Sequence, residues 1–232
     1  MWKVLVSATR AIAWRTGRFR GLYRRVVRPG GTEWAAFLKR WGGLHSIGDH
    51  CYIQTDVNIT DPALVRMGDN VCLTGCTLFG HDGSIGMVNH AYGLKLDAVG
   101  KVDIGSDVFI GYQAIIMPGV TIGDKVIVGA GSVVTGDVPS NSVVHGAPAR
   151  RVCSLDDLVR YRKVVTAGLP WRHLIEQRSG FYDAALEPEL LRLRVHHFFG
   201  DRTSEGSDPA AGRRKRRAPG TKDRLPRRVR AL

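Results

Sequence analysis

From Ile104 to Val134 the chain repeats itself every six residues. Ile104, Ile110, Ile116, Ile122, Val128 and Val134 are evenly spaced, and Gly105, Gly111, Gly123 and Gly129 follow four of them. The position four after each aliphatic is small or β-branched: Val108, Ala114, Val120, Val126, Ser132 and Val138. A helix repeats about every 3.6 residues and a strand about every 2, so neither sustains this period. Short strands joined by tight corners and stacked as a β-helix do. The aliphatics then fill the inner edges, and glycine is expected to supply corner conformations that a Cβ resists. A glycine-rich β-sandwich is the alternative, but six in-phase units argue against coincidence.

The same beat runs earlier with breaks. Ile47-Gly48-Asp49-His50-Cys51-Tyr52 leads into Ile53 and Ile59, and Met67-Gly68-Asp69-Asn70-Val71-Cys72 leads into Leu73. The phase shifts at Asp61-Pro62 and again across 80–101. Such shifts predict loops thrown out of the stack, and in repeat folds insertions of this kind often build the binding face.

Charge is concentrated at the two ends. Residues 1–41 carry ten Lys or Arg against one acid, Glu33, and residues 201–232 carry eleven against four. The remaining 42–200 hold thirteen basic and sixteen acidic residues, so the net +13 belongs to the extensions. This argues against reading the fold itself as a nucleic-acid binder. Residues 1–41 mix apolar and basic positions as a basic amphipathic arm does. Two readings stand side by side: contact with an anionic membrane surface, or packing on the β-helix or a neighbouring subunit. Residues 153–200 predict C-terminal helices, with Ser154 opening the first, Gly168-Leu169-Pro170 breaking it, and a second over about 184–199. These helices are expected to cap the open end of the stack. Residues 201–232, with Arg213-Arg214-Lys215-Arg216-Arg217 and almost no large apolar residue, are expected to be disordered.

No run of eighteen apolar residues predicts a membrane span. No secretory signal is read at the N-terminus. Cys51, Cys72, Cys76 and Cys153 form no CxxC, so a cytoplasmic protein is expected, with the inner face of the membrane as a peripheral station.

The stretches Asp61-Pro62, Met67-Gly68-Asp69-Asn70-Val71, Phe79-Gly80-His81-Asp82-Gly83, Val102 to Gly111, Ile122 to Val134 and Gly146-Ala147-Pro148-Ala149-Arg150 carry a resemblance. They resemble the hexapeptide-repeat acyltransferases, and within them the enzymes that O-acetylate sugars of cell-surface glycans. The resemblance covers roughly 45–152. It implies a left-handed parallel β-helix over 42–152 with an excursion loop at 83–101. It also implies acetyl-CoA as cosubstrate, no metal, a sugar or glycan acceptor and a homotrimer.

Acyl transfer to a hydroxyl needs a base, an oxyanion donor and a groove for the coenzyme A arm. Of eight histidines, His81 is the expected base: the repeat ends there, glycines flank it, and the family's catalytic histidine lies in a similar segment. Its orienting partner is not given by spacing; Asp97 and Asp103 are candidates only because they flank the excursion. Asp82, Asn89, His90 and Tyr92 are acceptor-binding candidates, although each could instead order the loop. By motif position the resemblance assigns Tyr112, Gly129, Ala130 and Thr135 to the pantetheine arm, and Arg150 with Arg151 to phosphate. Gly136 stands where the family often has Lys, and Phe109 where it often has Trp. N-acetylation of an amino sugar, a metalloenzyme of the γ-carbonic anhydrase type using His81 and His90, and a non-catalytic scaffold with basic arms are the competing readings.

Overall fold

The structure, a computed structural model, describes residues 1–180 and 182–200. The tail expected at 201–232 lies outside the described residues.

Three parallel sheets form a left-handed parallel β-helix. Each coil contributes one short strand to each sheet. The first coil holds β1 (Ser46–Ile47), β2 (Tyr52–Ile53) and β3 (Asn58–Ile59); the second holds β4 (Val65–Met67), β5 (Cys72–Leu73) and β6 (Thr77–Leu78). The third holds β7 (Val102–Ile104), β8 (Val108–Ile110) and β9 (Ile115–Ile116); the fourth holds β10 (Thr121–Ile122), β11 (Val126–Val128) and β12 (Val133–Val134). The stack ends with β13 (Ser142–His145) and β14 (Arg150–Cys153), which returns antiparallel along β13.

The six-residue beat is the register of this stack. Ile47, Met67, Ile104 and Ile122 pair in one sheet; Ile53, Leu73, Ile110, Val128 and Val144 in the second; Ile59, Leu78, Ile116 and Val134 in the third. All but Ile59 are buried, as are the intervening Val108, Ala114, Val120, Val126, Ser132 and Val138. The core is therefore a column of aliphatic ladders.

The glycines act differently from the expectation. The left-handed backbone at the corners falls two residues after the repeat glycine, mostly on residues with side chains: His50, Asn70, Asp107, Gln113 and Lys125, with φ of 53–60°. The glycines are needed for close stacking instead. A Cβ on Gly111 would lie 2.5 Å from the Ala130 amide nitrogen. The residue between is often Asp or Ser because it bonds to the coil before it. Asp69 Oδ1 accepts the Asp49 N–H at 2.7 Å, Ser106 Oγ the Asp69 N–H at 3.0 Å, and Asp124 Oδ1 the Ser106 N–H at 2.7 Å.

At the N-terminus, α1 (Trp2–Thr16), α2 (Arg20–Leu22), a π-helical turn at Tyr23–Val27 and α3 (Gly31–Trp41) precede the first coil. Trp34 and Phe37 of α3 join the core with Ile47 and Ile53, and Gly31 sits against the Tyr52 ring. This second half of the arm therefore packs on the β-helix. Tyr23 is fully buried; it donates to Glu33 at 2.6 Å and accepts from Trp14 Nε1 at 2.9 Å. Burial, and then the Glu33 carboxylate, push its phenol up to about 12.

The excursion is more ordered than a loop. It carries α4 (Ser84–Tyr92) and is pinched at its base, where His81 bridges Val99 and the Gly100 N–H donates to Gly80 O at 2.8 Å. Among the described residues, 157–180 and 182–200 fall in a second unit, which holds all but the first two residues of α5 (Leu155–Ala167). Beyond α5 lie α6 (Arg172–Gln177), which the sequence reading had not separated, and α7 (Glu187–Phe199). Trp171, Leu174 and Leu190 form its core.

Candidate active site

Strands β3 and β6 are neighbours in one sheet, so the residues leaving them are stacked. Thr60 and Asp61 leave β3; Phe79, Gly80 and His81 leave β6 one coil later. His81 Nδ1 lies 2.6 Å from Asp61 Oδ2. The imidazole side chain is 47% exposed, open to a substrate, while the carboxylate below it is 30% exposed. A carboxylate on Nδ1 fixes the tautomer with the proton there and leaves Nε2 as the proton acceptor.

Two neighbours build this pair. Thr60 Oγ1 donates to Asp61 Oδ2 at 2.7 Å and accepts the Gly80 N–H at 3.1 Å, tying the two coils together at the carboxylate. The Thr60 hydroxyl, and then His81, hold the Asp61 carboxyl below the usual carboxylate range. Gly80 supplies space: a Cβ there would lie 2.5 Å from Asp61 Cβ and 2.8 Å from its Oδ2. The glycine before the histidine is thus what lets the carboxylate reach it.

The two flanking candidates are used elsewhere. Asp103 takes a bidentate grip from Arg66, 2.6 Å to each oxygen, and a third contact from Lys101 at 3.1 Å. Arg66, and Lys101 after it, hold this carboxyl low against the opposing effect of burial. Asp97 accepts the N–H of Ala98. Asp61 was missed because it lies far from the excursion in sequence. Ile59 and Leu78 are 19 residues apart, which sets Asp61 level with Gly80 and one residue from His81.

Among the acceptor candidates, Asp82 Oδ1 accepts the Ser84 N–H at 2.9 Å and opens α4. Asn89 pairs with the backbone of Leu96 through both its amide groups, each at 2.8 Å, closing the excursion on itself. His90 and Tyr92 project from α4 with exposed side chains. Because α4 springs from the stem that carries His81, all four belong to one insertion.

The donor candidates fall in three places. Tyr112, Gly129 and Ala130 share one corner, where Gly131 N–H donates to Tyr112 O at 2.8 Å. The Tyr112 ring is exposed and lies over Gly75 of the coil before. Thr135 follows the other end of β12. Arg150 and Arg151 are exposed on β14, paired with His145 and Val144. The turn before them lies along β12, with Val133 N–H donating to Gly146 O at 2.9 Å and Ala149 N–H to Val133 O at 2.8 Å.

Burial disfavours the thiolate at three of the cysteines. Burial pushes the Cys76 thiol up to about 12 and raises Cys72 and Cys51 as well. Among the described residues no group of three or more His, Cys, Asp or Glu is placed to hold a metal.

Residues 101–136 match the family described as bacterial transferase hexapeptide (six repeats). The chain is 34% identical over 122 residues to the galactoside O-acetyltransferase of Escherichia coli K12, covering 50% of this chain and 57% of that enzyme. It is 40% identical over 114 residues to protein CapG of Staphylococcus aureus, covering 47% and 66%. A solved hexapeptide-repeat acetyltransferase of Vibrio cholerae, complexed with acetyl coenzyme A, is 34% identical; the match covers 47% of this chain and 60% of that one, with a TM-score of 0.42. The chain thus spans less than two thirds of the curated relatives' length.

Proposed function

Because its repeats belong to the bacterial transferase hexapeptide family, we propose that this protein moves an acetyl group from acetyl-CoA to a hydroxyl of a sugar or cell-surface glycan precursor. The observation that carries the reading is the exposed His81 imidazole held by Asp61 at 2.6 Å.

In this mechanism His81 Nε2 takes the acceptor hydroxyl proton as the oxygen attacks the thioester carbonyl carbon. The Asp61 carboxylate stabilises the imidazolium that forms. When the tetrahedral intermediate collapses, the carbon–sulfur bond breaks and the proton passes from Nε2 to the departing thiolate. Transfer is direct in a ternary complex, with no covalent acyl-enzyme. The donor arm lies along the corner of Tyr112, Gly129 and Ala130, where small residues allow close approach. Thr135 lies further along its course, and Arg150 with Arg151 meets its phosphates. A homotrimer is part of this reading, since a neighbouring subunit would close a groove whose residues are spread over the surface of one. Asp82 and Asn89 shape the acceptor side by holding the excursion, and His90 and Tyr92 face the acceptor.

The test is acceptor-dependent release of free thiol from acetyl-CoA against sugars, nucleotide sugars, amino sugars and lipid-linked glycans, with wild type beside His81→Ala. Release with a hydroxyl acceptor that disappears in the variant supports the proposal. Release only with amino acceptors would replace O- by N-transfer. Unchanged release in His81→Ala would remove the histidine from the mechanism. Arg150→Ala should raise KM for acetyl-CoA with little change in kcat, and an unchanged KM would take Arg150 out of the donor site.

A further inference from the structure

The N-terminal helix packs one side on the body and leaves several apolar side chains in water. In α1 the residues facing the body are Thr9 and Ala13, both buried, and the half-buried Val6 and Trp14; the Trp14 ring meets Phe37 edge-on and its Nε1–H donates to the Tyr23 hydroxyl. Other apolar side chains of the helix stay in water: Val4 is 71% exposed, Leu5 48% and Ile12 49%. Val4, Ala8 and Ala11 lie on the side away from Thr9 and Ala13, and Leu5 and Ile12 border the buried stripe. Trp2 before them, and Phe19 and Leu22 after them, are exposed as well. An amphipathic helix gains by burying apolar surface, and here Ala13 and Trp14 are covered while Val4, Leu5 and Ile12 have nothing on them.

The charge around it has one sign. Eight Lys and Arg and no acid precede Glu33. Glu33 is itself occupied by Arg10 at 3.0 Å and by the Tyr23 hydroxyl. Arg15 stands among the outward apolar residues, and Lys3 flanks them. A second copy of the same face would bring cations against cations.

We propose that the outward face of α1, with Phe19 and Leu22 beyond it, docks on an anionic lipid bilayer, lying in the headgroup plane. Val4, Leu5 and Ile12 enter the acyl boundary while the surrounding Lys and Arg pair with lipid phosphates. No helix of the described residues is long and apolar enough to cross a membrane, so the contact is peripheral. The inference is independent of the acetyl-transfer reading.

The experiment is cosedimentation of the full chain with vesicles of equal parts phosphatidylglycerol and phosphatidylcholine, and with phosphatidylcholine alone. Wild type should bind the first and not the second. The triple variant Val4→Ser, Leu5→Ser, Ile12→Ser should bind at least roughly tenfold more weakly. Its thiol release without vesicles and its size by light scattering should match wild type. Ala8→Glu is the second variant: it leaves the buried side untouched, suits a helix, and puts an acid on the docking face. Binding undiminished in both variants would overturn the proposal and assign any vesicle binding to other basic segments. Loss of oligomer size in either variant would overturn it in favour of a contact between copies. Wild type that fails to bind anionic vesicles would end it.

Discussion

The two halves of the β-helix obey one register and do different work. From Ile104 to Val134 each coil takes 18 residues, and nothing interrupts it. From Ile47 to Ile104 the first step takes 20 and the second 37, because a turn at Pro62–Leu64 and an insertion carrying α4 break out of the stack. The regular half builds an even surface of small residues and close backbone. In the proposed mechanism the interrupted half gathers the acid–base chemistry, since Asp61 and His81 both stand where a strand exit meets an insertion. A repeat scaffold offers identical positions; a reactive position needs a break in the repeat.

The sharpest way to break this comparison is His81→Ala, which should lower turnover on the order of 10²-fold or more while leaving the fold intact. Near-normal thiol release would mean that the interrupted half is not the chemical one. Asp61→Asn should cost about 10- to 100-fold, the scale for losing a group that orients and stabilises an imidazole. The Asp61 carboxyl is held below the usual carboxylate range, so it stays charged wherever an imidazole is neutral. The rate profile of wild type should therefore show no separate Asp61 step near neutral pH, and a distinct limb from it would refute the coupling. Gly80→Ala comes next, with turnover down on the order of tenfold as the new Cβ displaces Asp61; full activity would show that the carboxylate has another route to His81.

The regular half should respond in stability instead. In Gly111→Ala the added methyl meets the Ala130 backbone, which cannot turn aside. The expected cost is about 1–3 kcal/mol, read as a lowered thermal midpoint, with KM for acetyl-CoA raised because Ala130 borders the proposed donor arm, and kcat nearly unchanged. A loss of kcat at full stability would move chemistry into the late coils. The smallest effect concerns Asp103. Its folded pKa is depressed, chiefly by Arg66, so its stabilisation is present above the unfolded value and lost as pH falls through the folded one. Thermal midpoints taken downward from about pH 5 should fall less steeply in Asp103→Asn than in wild type.

Much of this was legible beforehand. Ile104 to Val134 announced the inner ladders because burial at fixed period leaves aliphatics at fixed spacing. Gly80-His81-Asp82-Gly83 marked the place where the period failed. The role of the glycines was misjudged because sequence shows where a Cβ is missing, not what it would touch. Asp61 stood out as a phase break but not as the partner of His81, for a related reason. Nearness in a β-helix runs between coils, and the insertions made coil length irregular.

By itself the sequence determined the period, the inward residues, the phase breaks and the uneven placement of charge, since these are properties of residue order. Only the tertiary structure decided which carboxylate meets His81, what Gly80 makes room for, and which side of α1 faces outward. Those depend on distances across coils and helices, where residues 20 apart in the chain stand within a hydrogen bond.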